Sequence, residues 1–290
     1  MAAIFRVLAA SLLVAGLAVR AADAPPAPLA GLAPEIERIA AESGGSLGVG
    51  VRHLESRAEW YRDPAGRFPM GSVFKIPVAL QLLALVDAGK LDLARLVTVQ
   101  PSDLRPGSGN LAKRYGGPTE LSVRALLEEM MIHSDNTATD LLWREAGGVE
   151  GIRARLRALR VDGISVDRPT GPLLAAANGF GELAPDADMT PAGFDELGRR
   201  FPRGKRIPGF LKDPRDTTTP RGMIELLDRL WRGEALGAER TALLLDIMAR
   251  CATGKGRQGM PTPVAPLWCK VRNPYIRISP CSRSSRRRTS

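Results

Sequence analysis

The alternation of apolar and polar positions divides the chain into a short extended region and a long helical one. Residues 46–54 (SLGVGVRHL) alternate as a strand does, and residues 58–63 (AEWYRD) are a candidate hairpin partner. Apolar residues at helical spacing predict helices within residues 32–45, 121–132, 136–148, 191–201, 220–233 and 239–254. The pattern therefore predicts two strands in a mostly helical body.

One segment differs from these amphipathic helices because it is apolar on nearly every side. Residues 72–90 (SVFKIPVALQLLALVDAGK) remain apolar until Asp87 and close at Gly89. A helix that is apolar all round is a buried, central one. Pro77 lacks an N–H and is tolerated only near a helix start. We therefore expect Ser72 and Lys75 in or beside the first turn.

Capping residues support the predicted helix starts. Ser122 is a plausible N-cap for the helix that follows it, and Asn136 is a good cap for the next. Thr190-Pro191 and Thr219-Pro220 each place a capping threonine before a proline at the first helical position.

The first 24 residues (MAAIFRVLAASLLVAGLAVRAADA) have one early arginine, an apolar run and then small residues. This layout predicts a secretory signal peptide, residues 1–21, cut after Ala21, with a linker at 22–33. The apolar run is shorter than the roughly 20 residues that span a bilayer, and no later segment is long enough either. We expect a secreted or periplasmic protein without membrane contact after signal removal.

The net charge of +10 comes entirely from the end of the chain. Residues 250–290 contain ten of the 41 basic residues, all three cysteines and no acidic residue, and the remaining 31 basic residues are balanced by 31 acidic ones. We therefore expect a domain over 34–259 and an atypical basic tail over 260–290. Nucleic-acid binding through Arg283 and residues 286–288 is the alternative, but no recognition motif accompanies them, and we expect no nucleic-acid partner. No Cys or His pair has metal-ligand spacing, so we expect neither a metal nor another cofactor.

Ser72 and Lys75 are three residues apart and share one helix face, so the amine can reach the hydroxyl. A neutral amine there could take the serine proton during attack on a carbonyl, and the positive helix end favours the developing oxyanion. Alternatively, the pair is only the start of a buried helix.

A second candidate group, Ser134-Asp135-Asn136, lies at a joint between two predicted helices. Ser134 could relay a proton to a leaving nitrogen, and Asn136 could bind a substrate amide because its side chain both donates and accepts. The competing interpretation is that Asn136 is a simple helix cap.

The two groups occur in the order S-x-x-K, then S-D-N, 62 residues apart. From about Pro34 to Gly254 the sequence resembles class A β-lactamases and related serine hydrolases. The resemblance extends through FPMGSVFKIPVAL, MIHSDNTATDLL and DPRDTTTPRGM, and more weakly through the loop DLRPGSGN. It implies an α+β fold with an antiparallel sheet flanked by helices and an all-helical lobe, with the active site between the two.

The same resemblance implies an exported, monomeric serine hydrolase that opens a β-lactam through an acyl-enzyme. Ser72 would be the nucleophile, Lys75 the base or positioning cation, Ser134 the proton shuttle and Asn136 a substrate ligand. The residues by themselves indicate serine acyl transfer; the β-lactam substrate comes from the family.

Two family elements are missing. Asp167-Arg168 matches the pair that precedes the deacylating glutamate, but Pro169, Thr170 and Gly171 follow, and Glu182 is the next carboxylate. No lysine after Asn136 begins a K-T-G triplet, so we expect an incomplete sheet, and we hypothesise a reading-frame shift near Gln258. Three further alternatives remain: a penicillin-binding or sensor-type protein that stays acylated, a peptidoglycan transpeptidase, and an inactive truncated relic.

Overall fold

A computed structural model describes residues 29, 31–43, 45–180, 183, 187–200 and 208–252. The predicted signal peptide, the basic tail and Glu182 lie outside these residues, so the domain boundaries at 21, 33 and 259 remain predictions. The helices are α1 Leu32–Ser43, α2 Lys75–Asp87, α3 Leu111–Arg114, α4 Val123–Ile132, α5 Asn136–Glu145, α6 Gly148–Ala158, α7 Thr170–Asn178, α8 Pro191–Arg200, α9 Pro208–Lys212, α10 Pro220–Trp231 and α11 Ala238–Ala249. The strands are β1 Val49–Arg52, β2 Glu59–Arg62, β3 Phe68–Pro69, β4 Leu96–Val99, β5 Thr119–Ser122 and β6 Thr217–Thr218.

The predicted hairpin is confirmed. Strands β1 and β2 pair antiparallel, with Val49 opposite Arg62 and Val51 opposite Trp60. Two further antiparallel pairs, β4 with β5 and β3 with β6, give three two-stranded sheets among the described residues. The α+β architecture expected from the sequence is therefore present, with helices predominating.

The central helix predicted from its all-round apolar character is α2. Its side chains Ile76, Leu80 and Leu83 are fully buried, and they belong to one core cluster with residues of α4, α5, α6, α10 and α11. Pro77 is the third residue of α2, where a missing N–H breaks no intrahelical bond. Burial on all sides fixes α2, so a residue in its first turn has a well-defined position.

The predicted caps have different outcomes. Ser122 accepts a hydrogen bond from the Ala125 N–H at 3.1 Å, and Thr219 accepts one from the Gly222 N–H at 3.0 Å. The prediction that Asn136 caps its helix is wrong, because the N-cap is Asp135, whose Oδ1 accepts from the Ala138 N–H at 2.9 Å. Asn136 is the first residue of α5, and its side chain is not used as a cap.

The pairing of β3 with β6 joins distant parts of the chain next to the start of α2. Phe68 lies opposite Thr218 and Pro69 opposite Thr217. The Met70 N–H then donates to the Asp216 carbonyl at 3.0 Å. Ser72 follows two residues later, so this short sheet fixes the chain that leads into the candidate nucleophile.

None of the helices in the described ranges combines the length and the apolar character that a membrane span requires.

Candidate active site

Ser72 lies in a 3₁₀ turn, Gly71–Phe74, that runs directly into α2 at Lys75. Gly71 has a φ of 48°, in the left-handed region where glycine is preferred. The prediction that Ser72 and Lys75 lie in or beside the first helical turn is confirmed. Lys75 is fully buried, although it carries an amine. Burying an amine costs free energy unless it has polar partners.

Ser134 supplies two of the partners of Lys75. It lies between α4 and α5 with a φ of 58°, an uncommon conformation for a residue with a side chain. Its carbonyl and its Oγ accept from Lys75 Nζ at 2.5 and 3.1 Å. Its hydroxyl also donates to Ser72 Oγ at 2.8 Å. A hydrogen-bonded chain therefore runs from Lys75 through Ser134 to Ser72.

Asn136 completes the set of four residues singled out in the sequence. Its Oδ1 accepts from Lys75 Nζ at 2.9 Å, and its Nδ2 donates to the Pro106 carbonyl at 2.8 Å. Gly107 lies so close that a Cβ there would be 3.0 Å from Nδ2. An amide has a second lone pair and a second N–H, so Asn136 keeps the capacity to bind a substrate amide. The structure thus brings Ser72, Lys75, Ser134 and Asn136 together.

Asp135, to which the sequence assigned no role of its own, holds the loop beside the site. It is 1% exposed, and its carboxylate caps α5 through Oδ1. Its Oδ2 accepts from the N–H groups of Asn110 and Leu111 at 2.7 and 2.8 Å. A buried carboxylate that satisfies three backbone donors fixes the loop to the start of α5. Because aspartate is a common N-cap, the sequence already made capping of α5 by Asp135 predictable. No local pattern predicts its hydrogen bonds to the loop at Asn110 and Leu111.

Asp167 and Arg168 contact a third residue, Asp216, which lies in the segment DPRDTTTPRGM but to which the sequence assigned no role of its own. Asp216 accepts from the backbone N–H groups of Asp167 and Arg168 at 2.7 and 3.0 Å, and from Arg168 Nε at 2.5 Å. Burial raises the pKa of Asp167, but hydrogen bonds from Ser165, the Asp216 backbone and Arg153 outweigh burial and lower the pKa overall. The pair therefore anchors its loop to the segment that precedes β6.

The turn after this pair contains no carboxylate, as the sequence indicated. Thr170 begins α7 and is 3% exposed, and its Oγ1 has no hydrogen-bond partner among the described residues. Its N–H donates to Asp140 Oδ1 at 2.6 Å. One turn further along α7, Leu174 lies near Gly107. Its Cδ1 would be 3.9 Å from a Cβ placed on that glycine. The start of α7 therefore packs against α5 at Asp140, one turn after Asn136.

Comparison with known proteins identifies the family to which the chain is similar. A protein-family model described as the β-lactamase enzyme family matches residues 31–265. The β-lactamase CTX-M-8 of Citrobacter amalonaticus is 31% identical over 225 residues, covering 76% of this chain and 64% of its own length. A β-lactamase of Rhodobacter capsulatus is 28% identical over 233 residues, covering 80% of this chain and 68% of its own. The match to CTX-M-8 thus spans less than two thirds of that relative.

Solved structures agree with the sequence matches. An ancestral class A β-lactamase has a TM-score of 0.62 at 31% identity, covering 79% of this chain and 75% of its own. A β-lactamase from Xanthomonas campestris has a TM-score of 0.62 at 30% identity, covering 80% and 74%. The matched region includes all four site residues, and the chain belongs to the β-lactamase enzyme family.

Proposed function

We propose that this chain is an exported, monomeric serine hydrolase that opens the amide of a β-lactam through an acyl-enzyme on Ser72. The observation that carries the proposal is the hydrogen-bonded chain Lys75–Ser134–Ser72, with Nζ to Oγ at 3.1 Å and Oγ to Oγ at 2.8 Å. Such a chain moves protons between the nucleophile and a leaving group. The family relationship supplies the substrate class.

In the proposed reaction, Ser72 Oγ attacks the lactam carbonyl carbon, and the carbon–nitrogen bond of the ring breaks. The Ser72 proton is transferred to the lactam nitrogen through Lys75 and Ser134, so no proton is gained or lost overall. The start of the helical run at Gly71 offers its positive end to the oxyanion. Asn136 would bind the substrate's amide with the donor and acceptor capacity that its present contacts leave over.

Deacylation is proposed to be slow. The family pattern has a glutamate shortly after the Asp-Arg pair, whereas here Asp167-Arg168 is followed by Pro169 and Thr170. A threonine hydroxyl does not deprotonate near neutral pH, so Thr170 cannot act as the general base. Loss of a general base typically costs about 10²- to 10⁴-fold in rate. The main alternative is therefore a penicillin-binding or sensor-type protein, in which the same acylation occurs and the adduct persists.

Intact-mass spectrometry of the mature chain after addition of a penicillin tests the proposal. We expect a mass increase of one opened drug that Ser72→Ala abolishes. The matched control Ser46→Ala, which removes an exposed serine outside the site, should leave the adduct unchanged. Decay within minutes indicates a β-lactamase, and persistence indicates a sensor-type protein. No adduct on the unaltered chain refutes the proposal and favours the inactive relic.

A further inference from the structure

Arg105 and Asp140 form an ion pair next to the four site residues. The proposed chemistry does not use this pair. Arg105 Nε donates to Asp140 Oδ2 at 2.7 Å, and the two side chains are 14% and 6% exposed. Asp140 lies four residues after Asn136 in α5, so both residues share one helix face. Removing one partner of such a buried pair leaves an uncompensated charge.

Asp140 also acts as an N-terminal cap for α7, supplied from a different helix. Pro169, at the N-cap position, makes no side-chain capping bond. Asp140 instead accepts from the Thr170 N–H at 2.6 Å and from the Gly171 N–H at 3.4 Å. A negative charge is favourable at a helix N-terminus, where the first N–H groups have no intrahelical partner. The carboxylate therefore fixes where α7 begins.

Gly171 allows this close approach. A Cβ at Gly171 would lie 2.8 Å from Met189 Cγ and 3.4 Å from Arg105 Nε. The turn is therefore packed directly against the arginine that pairs with Asp140.

Further hydrogen bonds fix both the backbone and the guanidinium group of Arg105. Its backbone N–H donates to Thr137 Oγ1 at 3.0 Å, and its Nη1 donates to the carbonyls of Ser102 and Leu104 at 2.8 and 3.0 Å. The next residues of this loop contact the site, because the Pro106 carbonyl accepts from Asn136 Nδ2. One guanidinium–carboxylate pair thus joins the mouth loop (residues 104–110), α5 and the turn at residues 169–171.

We propose that Arg105 and Asp140 are a positioning pair that holds the mouth loop and the start of α7 as two fixed walls on either side of Asn136. The inference rests on the proposed function, because the walls are expected to place the β-lactam against Ser72. The pair touches no reacting atom. Its effect on acylation would pass through Asn136 and the two walls, and misplacing a bound group by about 1 Å can cost on the order of 10²-fold in rate.

Hydrogen–deuterium exchange of the mature chain tests the pair without relying on activity. Asp140→Asn and Arg105→Met should each raise exchange roughly tenfold or more in both walls, residues 104–110 and 170–174. The double variant should show no more exchange than the worse single variant, because all three changes remove the same interaction. Arg144→Met is the matched control. It removes an α5 arginine that pairs with Asp103 on the segment preceding the mouth loop, and it should leave residues 170–174 unchanged.

Acylation rate constants, expressed per titrated active site, then separate positioning from simple loss of folded protein. Each single variant should acylate roughly tenfold more slowly per site, whereas a purely structural role would lower only the number of sites. Exchange that rises in one wall alone, or throughout the chain, overturns the positioning pair. If the unaltered chain forms no adduct, the proposed function fails, and the exchange results still decide whether the pair joins the two walls.

Discussion

Asp135→Asn is the substitution whose effect can be worked out most fully from the structure. Asparagine has nearly the same size and is as good an N-cap as aspartate. If Asp135 were only a cap, the change would therefore cost little. The carboxylate, however, accepts three backbone N–H groups: Ala138 at 2.9 Å on one oxygen, and Asn110 and Leu111 at 2.7 and 2.8 Å on the other.

The amide that replaces this carboxylate has one oxygen, and its nitrogen donates. Whichever way the substituted side chain turns, its NH₂ group faces at least one of these backbone donors, and that donor and the amide N–H lose their acceptors. Each buried unpaired group costs about 1–3 kcal/mol. Two such groups together lower the free energy of unfolding by about 2–6 kcal/mol, a large share of the roughly 5–15 kcal/mol typical of a domain.

Urea unfolding of the mature chain, followed by both far-UV circular dichroism and tryptophan fluorescence, measures the change, and coincident curves justify two-state treatment. Ser122→Asn is the matched control, because Ser122 caps α4 through the Ala125 N–H alone and should cost less than about 1 kcal/mol. A loss below about 1 kcal/mol for Asp135→Asn would refute the reasoning, since Asp135 would then be a cap and no anchor of the loop.

The remaining predictions concern chemistry and pH. Lys75→Met should slow acylation by about 10²- to 10⁴-fold, and adduct mass measures this. It should also lower the free energy of unfolding by about 2–6 kcal/mol in urea curves, because the Ser134 carbonyl and Asn136 Oδ1 each lose a buried donor at a cost of about 1–3 kcal/mol. Undiminished acylation contradicts the proposed role of Lys75. Thr170→Glu should shorten the adduct lifetime by about 10²-fold or more, whereas its neutral control Thr170→Gln should not; equal lifetimes would locate the deacylation defect elsewhere. The hydrogen bond from Arg215, with the charge of Arg168 adding to it, lowers the pKa of Asp213 from 3.8 to about 2. Because the folded pKa lies below the unfolded one, the ionised carboxylate stabilises the fold above about pH 4, and this contribution is lost as the pH falls toward 2. Tm measured between pH 5 and 2 should therefore fall more steeply for the unaltered chain than for Asp213→Asn, and parallel curves would argue against this contribution.

Patterns that act within a few residues were sufficient for part of the fold and site. The hairpin of β1 and β2, the buried α2 and the caps Ser122 and Thr219 each follow from a local signal, namely alternation, all-round apolarity or a side chain three residues from its donor. Ser72 and Lys75 were placed correctly for the same reason, because their spacing alone puts them on adjacent turns.

The rest depends on contacts between distant residues. Asp135 and Asn136 are both good caps, and the sequence favoured the wrong one, because the choice is decided by backbone donors about 25 residues earlier. Strand β6 has two residues and no alternation, so only its pairing with Phe68 and Pro69 identifies it. Arg105 and Asp140 are 35 residues apart, and neither carries a local mark of the other.

The pairing of β3 with β6 also has a consequence for the order in which the chain matures. The residues that contact Lys75, Ser134 and Asn136 lie within a stretch of about 70 residues, all of which precede β6 in the chain. The bond from the Met70 N–H to Asp216 joins residues almost 150 positions apart. Lys75 and Asn136 can therefore meet as soon as the chain up to residue 136 is available to fold. The turn that carries Ser72 acquires its anchor only once residues 216–218 are available as well.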